Sequence, residues 1–152
     1  MDNDAYKAGF VENVYQKGCE SGNVLGFAMS PRDNFNVFWI TEGEKKGIFA
    51  NAALKQPVLW LPGVNSYQLV VKPHKGITPL DVMRKKGAKV AVIAFDADKA
   101  INPMVMRCFE KLAELLKEQG FKTYSAEWDM SYGKGVDDLL AAGKLPRFKE
   151  VK

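Results

Sequence analysis

From residue 36 onward, short apolar runs alternate with stretches of helical periodicity. Residues 36–41 (NVFWIT) are rich in β-branched and aromatic side chains and break at Glu42-Gly43, which reads as a strand leaving into a loop. The segment that follows, to Leu54, sets Ile48, Phe49, Ala52 and Ala53 on one face of a predicted helix. Residues 57–61 (PVLWL) form a second apolar run, closed by Pro62-Gly63. Residues 89–95 (KVAVIAF) form a third, almost without polar positions, as expected of a strand covered on both faces. Between these two, Thr78 is placed to cap a helix through Lys86, with Pro79 at its first position and Gly87 at its end.

The strongest helical signal lies downstream. Asn102-Pro103 makes a helix start, and Val105, Phe109, Leu112 and Leu116 then recur at intervals of 4, 3 and 4 until Gly120 ends the run. Residues 121–126 read as a fourth strand, and Asp137 opens a last short helix ended by Gly143. Strands alternating with helices imply parallel pairing through right-handed crossovers. The expected fold is therefore a layered α/β domain with a predominantly parallel sheet of about four strands flanked by helices. This domain spans residues 36–143. Residues 1–35 are expected to form an N-terminal extension packing on it, with Tyr6, Phe10 and Val14 on one helical face and residues 24–29 as an extra strand. Residues 144–152 carry Lys144, Arg147, Lys149 and Lys152 against Glu150 alone and read as a basic, solvated tail.

Composition narrows the classes. With 152 residues, 47% of them hydrophobic and 26% charged, the chain is of ordinary globular composition. No apolar run approaches the roughly 20 residues of a membrane span, and MDNDAYKAGF lacks the basic-then-apolar order of a secretory leader, so a cytoplasmic protein without a membrane partner is expected. Cys19 and Cys108 are far apart and the chain has a single histidine, His74, which excludes a zinc site of ordinary ligand spacing; both thiols are expected to be reduced. His74, between Pro73 and Lys75, is expected to be exposed. The formal charge of +4 permits a polyanionic partner without requiring one.

The acidic residues gain meaning from this scaffold. In a parallel α/β sheet, function collects where the strands end, because loops open there and helix amino termini point outward. Glu42 follows the first strand, Asp96 and Asp98 the third, and Glu127 and Asp129 the fourth, with Asp137 and Asp138 shortly after. Carboxylates sharing an edge repel one another unless a cation offsets them, and hard oxygen donors suit Mg²⁺ or Mn²⁺. A lone DxD in a loop is most often a solvated turn. Its conjunction with Glu42 at the end of a second buried strand is the stronger signal. Lys45, Lys46 and Lys134 lie beside these acids and are candidates for holding phosphate. Arg84, Lys85, Lys86 and Lys89 read as a solvated helix end. Trp39 and Trp60 are expected in the core, while Trp128 and Tyr132 are either packing residues or platforms for a base.

Residues 40–45 (ITEGEK), 94–98 (AFDAD) and 133–139 (GKGVDDL), in this order after successive strands, resemble the three blocks of the TOPRIM domain shared by bacterial-type primases, type IA and II topoisomerases and some nucleases. The nearest likeness is to the uncharacterised TOPRIM-like domain of primase-associated proteins in phages, plasmids and other mobile elements. Lys45 and Lys46 stand where many members have an Asp. The resemblance implies a Rossmann-like TOPRIM fold, Glu42 as general base or acid, Asp96 and Asp98 as ligands of Mg²⁺ or Mn²⁺, and Asp137 as the third acidic block. It implies catalysis by Glu42, Asp96 and Asp98 of nucleotidyl transfer on DNA or RNA, in a replication protein working with a helicase or other primase domains. Cleavage of nucleic acid, or binding without turnover, are the alternatives.

Overall fold

The runs at 37, 58, 90 and 122 become the adjacent parallel strands of one sheet in the computed structural model, which describes residues 24–152. The expected helix around Tyr6, Phe10 and Val14, and Cys19, lie outside the described residues. Six strands are present among the described residues: β1 (Gly26–Ala28), β2 (Val37–Glu42), β3 (Val58–Leu61), β4 (Val90–Ile93), β5 (Lys122–Glu127) and β6 (Arg147–Glu150). Their order in the sheet is β1-β3-β2-β4-β5-β6. β3, β2, β4 and β5 run parallel, whereas β1 pairs antiparallel with β3 and β6 antiparallel with β5.

The sheet is thus mixed and has more than the four strands expected. One added edge strand, β1, falls within residues 24–29, expected as an extra strand; the other, β6, has four residues and was not expected, being too short for alternation to announce it. β6 lies in the segment read as a solvated tail. Its backbone pairs with β5 while the side chains of all four of its residues stay exposed, so the basic composition reported side-chain solvation correctly and backbone order not at all.

Four α-helices complete the described fold: α1 (Glu44–Leu54), α2 (Pro79–Lys85), α3 (Pro103–Glu118) and α4 (Val136–Ala141). α2 and α3 start as their sequences dictate. Thr78 accepts from the Asp81 N–H and Asp81 reciprocates at the Thr78 N–H, a complete capping box with Pro79 at the first turn. Asn102 accepts from the Val105 N–H, and α3 buries Phe109, Leu112 and Leu116 as expected, together with the free thiol of Cys108.

α1 faces differently from its apolar pattern. Gly47, Ala50 and Asn51 are buried, and Phe49, Ala52 and Ala53 are exposed. The reason is close approach: a Cβ at Gly47 would lie 2.8 Å from Cε3 of Trp60, so only the smallest side chain fits. Asn51 can be buried because its amide donates to Asp33 Oδ2 and to the Gln56 carbonyl, both at 2.8 Å.

Register places the helices on both faces of the sheet. Thr41 lies beside Trp60, on the face where α1 packs. Ile40 lies beside Ile93, on the opposite face with Phe38 and Phe95, where Phe95 meets Phe109 of α3 edge to face. Trp39 and Trp60 are both core residues, as expected, and Trp39 Nε1 donates to Gln56 Oε1 at 2.6 Å. His74 is half-buried rather than exposed, because a short bridge to Ile77 folds its loop back. No helix among the described residues is long and apolar enough to cross a membrane.

Candidate functional site

β2 and β4 are neighbours, so their carboxyl ends deliver Glu42 and Asp96 to the same place. Gly43 makes the turn into α1 at φ 90°, a conformation that suits glycine, and its N–H is held by the Leu61 carbonyl at 2.8 Å. The abrupt turn puts Lys46 one helical turn beyond Glu42. Lys46 Nζ lies 2.8 Å from Asp96 Oδ1 and 4.0 Å from Glu42 Oε1, an ammonium set between the two carboxylates.

A second contact comes from the loop before α4. The Lys134 carbonyl accepts from the Ala97 N–H at 2.8 Å, tying this loop to the turn after β4, and Lys134 Nζ stands 3.4 Å from Asp98 Oδ2. Gly135 lets Lys46 pass, since a Cβ there would lie 3.0 Å from Lys46 Cε. The loop is pinned from below by Trp128, whose buried indole N–H donates to the Gly133 carbonyl at 3.0 Å. Trp128 is therefore a packing residue, while Tyr132 is exposed.

These elements enclose an open cleft of about 590 Å³, with Glu42, Lys45, Lys46, Asp96, Lys134 and Asp137 on its walls. Asp138 also reaches the wall, and its carboxylate accepts from the Gly135 N–H at the start of α4. Burial alone would lower the Lys46 pKa. The hydrogen bond and charge of Asp96, reinforced by the charges of Glu42 and Asp137, outweigh it and hold the ammonium above the ordinary lysine value.

The remaining acids of this edge have local partners. Asp129 accepts from the Ser131 N–H in its own turn, which lowers its pKa. Glu127 accepts from the Ser125 hydroxyl and lies 3.8 Å from Lys99 Nζ. Lys99 was not foreseen, because no periodicity marks a lysine in the turn after Asp98 as an inward residue. It is nonetheless buried, with its ammonium 5.6 Å from the centre of the Phe109 ring. Burial pushes its pKa below the usual lysine value; Glu127 opposes the shift and Lys149 adds to it.

The hard oxygens of Glu42, Asp96, Asp98 and Asp137 are of the right chemistry for Mg²⁺ or Mn²⁺. Their arrangement is not that of a metal centre: among the described residues no three His, Cys, Asp or Glu side chains gather closely enough to hold an ion. Lys46 separates Glu42 from Asp96, and Asp98 turns to Lys134. What the arrangement offers is a recess in which ammonium groups can meet phosphate oxygens while a carboxylate stands by to accept a proton.

No curated protein matches the sequence significantly. Residues 31–145, which contain the whole cleft, match the family model described as Domain of unknown function (DUF3854), and the chain belongs to that family.

Proposed function

We propose that this chain is a nucleic-acid-processing domain of TOPRIM type, active in primase-like nucleotidyl transfer within a DNA replication protein. The observation that carries this reading is the cleft at the carboxyl edge. Carboxylates from the ends of two adjacent parallel strands meet Lys45, Lys46 and Lys134 there, in a recess open to solvent. The lysines supply a phosphate-binding surface, and Glu42, half exposed beside it, is the group to accept the proton of an attacking hydroxyl. Mg²⁺ or Mn²⁺ is the cofactor that the TOPRIM resemblance implies, and DNA or RNA, with nucleotides, the partners.

A second reading has its own support. Lys46 already neutralises Asp96, an arrangement that suits a module binding nucleic acid without turnover. Incubating the full chain with a single-stranded template, all nucleotides and Mn²⁺ separates the two. Extension products that disappear in Asp96→Asn support the first reading, and shortened strands would replace it with a nuclease. Binding with neither product leaves the binding module.

A further inference from the structure

Two aromatic residues of one loop, Trp128 and Tyr132, have opposite fates. Trp128 is buried and donates to the Gly133 carbonyl at 3.0 Å, whereas Tyr132 is 42% exposed. Tyr67 and Tyr124 pack against the core. Tyr132 does not, and among the described residues its side chain makes no hydrogen bond and no contact with another ring. Aromatic rings stabilise a fold by being buried, so a ring kept in water contributes little to this one. The turn that keeps it there is held at each step. Asp129 Oδ1 accepts from the Ser131 N–H at 2.8 Å, the Asp129 carbonyl from the Tyr132 N–H at 3.1 Å, and the Met130 carbonyl from the Gly133 N–H at 2.8 Å.

The chain fixes where this turn stands relative to the cleft. Gly133, at φ 115°, lies so close to Asp138 that a Cβ there would run into its side chain, and Lys134 follows with its ammonium 3.4 Å from Asp98 Oδ2. Asp138 and Lys134 are walls of the cleft and Tyr132 is not, which sets Tyr132 at the rim. Its backbone is within roughly 7 Å of that of Lys134, the reach of two residues and about two steps of a stacked strand at roughly 3.4 Å each. We propose that Tyr132 is a stacking platform for an unpaired base of a single-stranded nucleic acid whose phosphates lie on Lys134 and its neighbours in the cleft. The lysines draw phosphate into the recess, and the bases that project from the backbone meet the ring at its rim. Stacking uses the flat face that every base has, so the platform accepts any sequence. In a duplex those faces are occupied by neighbouring pairs, so it selects single strands. The inference rests on the reading of the cleft as a nucleic-acid site and gives that site its substrate class.

Titrating the full chain into a labelled single-stranded oligonucleotide, and into the duplex of the same length, tests this by fluorescence anisotropy. Tyr132→Ala is expected to weaken binding to the single strand about tenfold, the scale of losing one stacked base, and to change duplex binding by less than about twofold. Tyr132→Phe keeps the ring and should bind as the wild type does. No charge is removed in either variant, so the log–log salt slope should stay at the wild-type value, whereas Lys134→Gln should make it shallower. Wild-type affinity of Tyr132→Ala for the single strand overturns the proposal, as does an equal loss on strand and duplex, or a loss that Tyr132→Phe shares. Circular dichroism and the urea midpoint of each variant separate a folding defect from these outcomes. Salt-dependent binding that is indifferent to Tyr132 removes the platform and keeps the cleft, and a chain that binds no strand removes both. Template extension is a separate readout: a chain inert there that still shows the Tyr132→Ala loss keeps the platform as part of a binding module.

Discussion

The two ends of the parallel strands carry charged clusters built on different plans. At the amino end, Arg84 at the close of α2 pairs with Asp81 one turn earlier at 2.8 Å, donates to the Gln119 carbonyl that ends α3, and lies 5.2 Å from the centre of the Phe121 ring. Lys86 likewise sits 5.2 Å over Phe35. Each contact there closes a helix end or covers an aromatic ring. At the carboxyl end, Lys46 reaches an acid 50 positions away, and the groups around it line a recess. A cluster that satisfies helix termini is explained by the stability it confers. The Arg84–Asp81 ion pair is the more exposed and contributes little, so the amino-end cluster rests on its helix-end hydrogen bonds and ring contacts; the less exposed Lys46–Asp96 pair closes no helix end and lines a recess, for which the proposed chemistry supplies a reason.

The comparison breaks if either cluster does the other's work. The largest expected effect is on activity: Glu42→Gln should lower extension by about 10²- to 10⁴-fold, the range for losing a proton acceptor, with the urea midpoint unchanged. Arg84→Ala in the same assay should leave the rate within about twofold of wild type. At the amino end the effect moves to stability. Thr78→Ala removes the capping acceptor of α2 and should cost about 1 kcal/mol in urea unfolding, with extension intact.

Smaller effects follow from pH. The Lys46 pKa is raised on folding, so its contribution is fully present below the unfolded value near 10.5 and is lost as pH rises through the higher folded value. Lys99 has the opposite sign. Its folded pKa is lowered, so the burial cost of its charge is relieved as pH climbs from that value towards 10.5. Urea unfolding between pH 8 and pH 11 (roughly the alkaline window these shifts define) should therefore show opposite slopes for Lys46→Met and Lys99→Met relative to wild type. The smallest expected effect is acidic. Hydrogen bonds from the Thr78 N–H and hydroxyl lower the Asp81 pKa, so its contribution persists above the unfolded value of 3.8 and fades as pH falls through the folded one; Asp81→Asn should abolish that step.

Much of this contrast was legible in the sequence, for physical reasons. β4 is apolar on both faces, and α3 repeats its apolar positions with a helical period, so both elements announced themselves. Thr78, Pro79 and Asn102 marked helix starts because capping is local chemistry. The candidate acids each stand at or beyond the end of a buried strand, a position that topology alone marks. β6 was missed because a four-residue edge strand needs only its backbone and leaves no pattern in its side chains. The inward face of α1 was misread because Gly47 and Asn51 are buried for fit and hydrogen bonding rather than for apolarity. The position of Lys46 between Glu42 and Asp96 was equally invisible: a lysine beside an acid in sequence carries no information about a third partner 50 residues on.

The central claim is that the carboxyl-edge cleft receives the phosphate backbone of a nucleic acid. Fluorescence anisotropy of a labelled single-stranded oligonucleotide, measured from low to moderate salt for the wild type and for a variant with Lys45, Lys46 and Lys134 all changed to Gln, tests it most directly. The wild type should bind with an affinity that falls as salt rises, and the variant should bind more weakly, with a log–log salt slope shallower by about 2, near 0.7 for each lost lysine contact. Equal affinity and equal slope in the two proteins would contradict the account and move the nucleic acid away from this cleft.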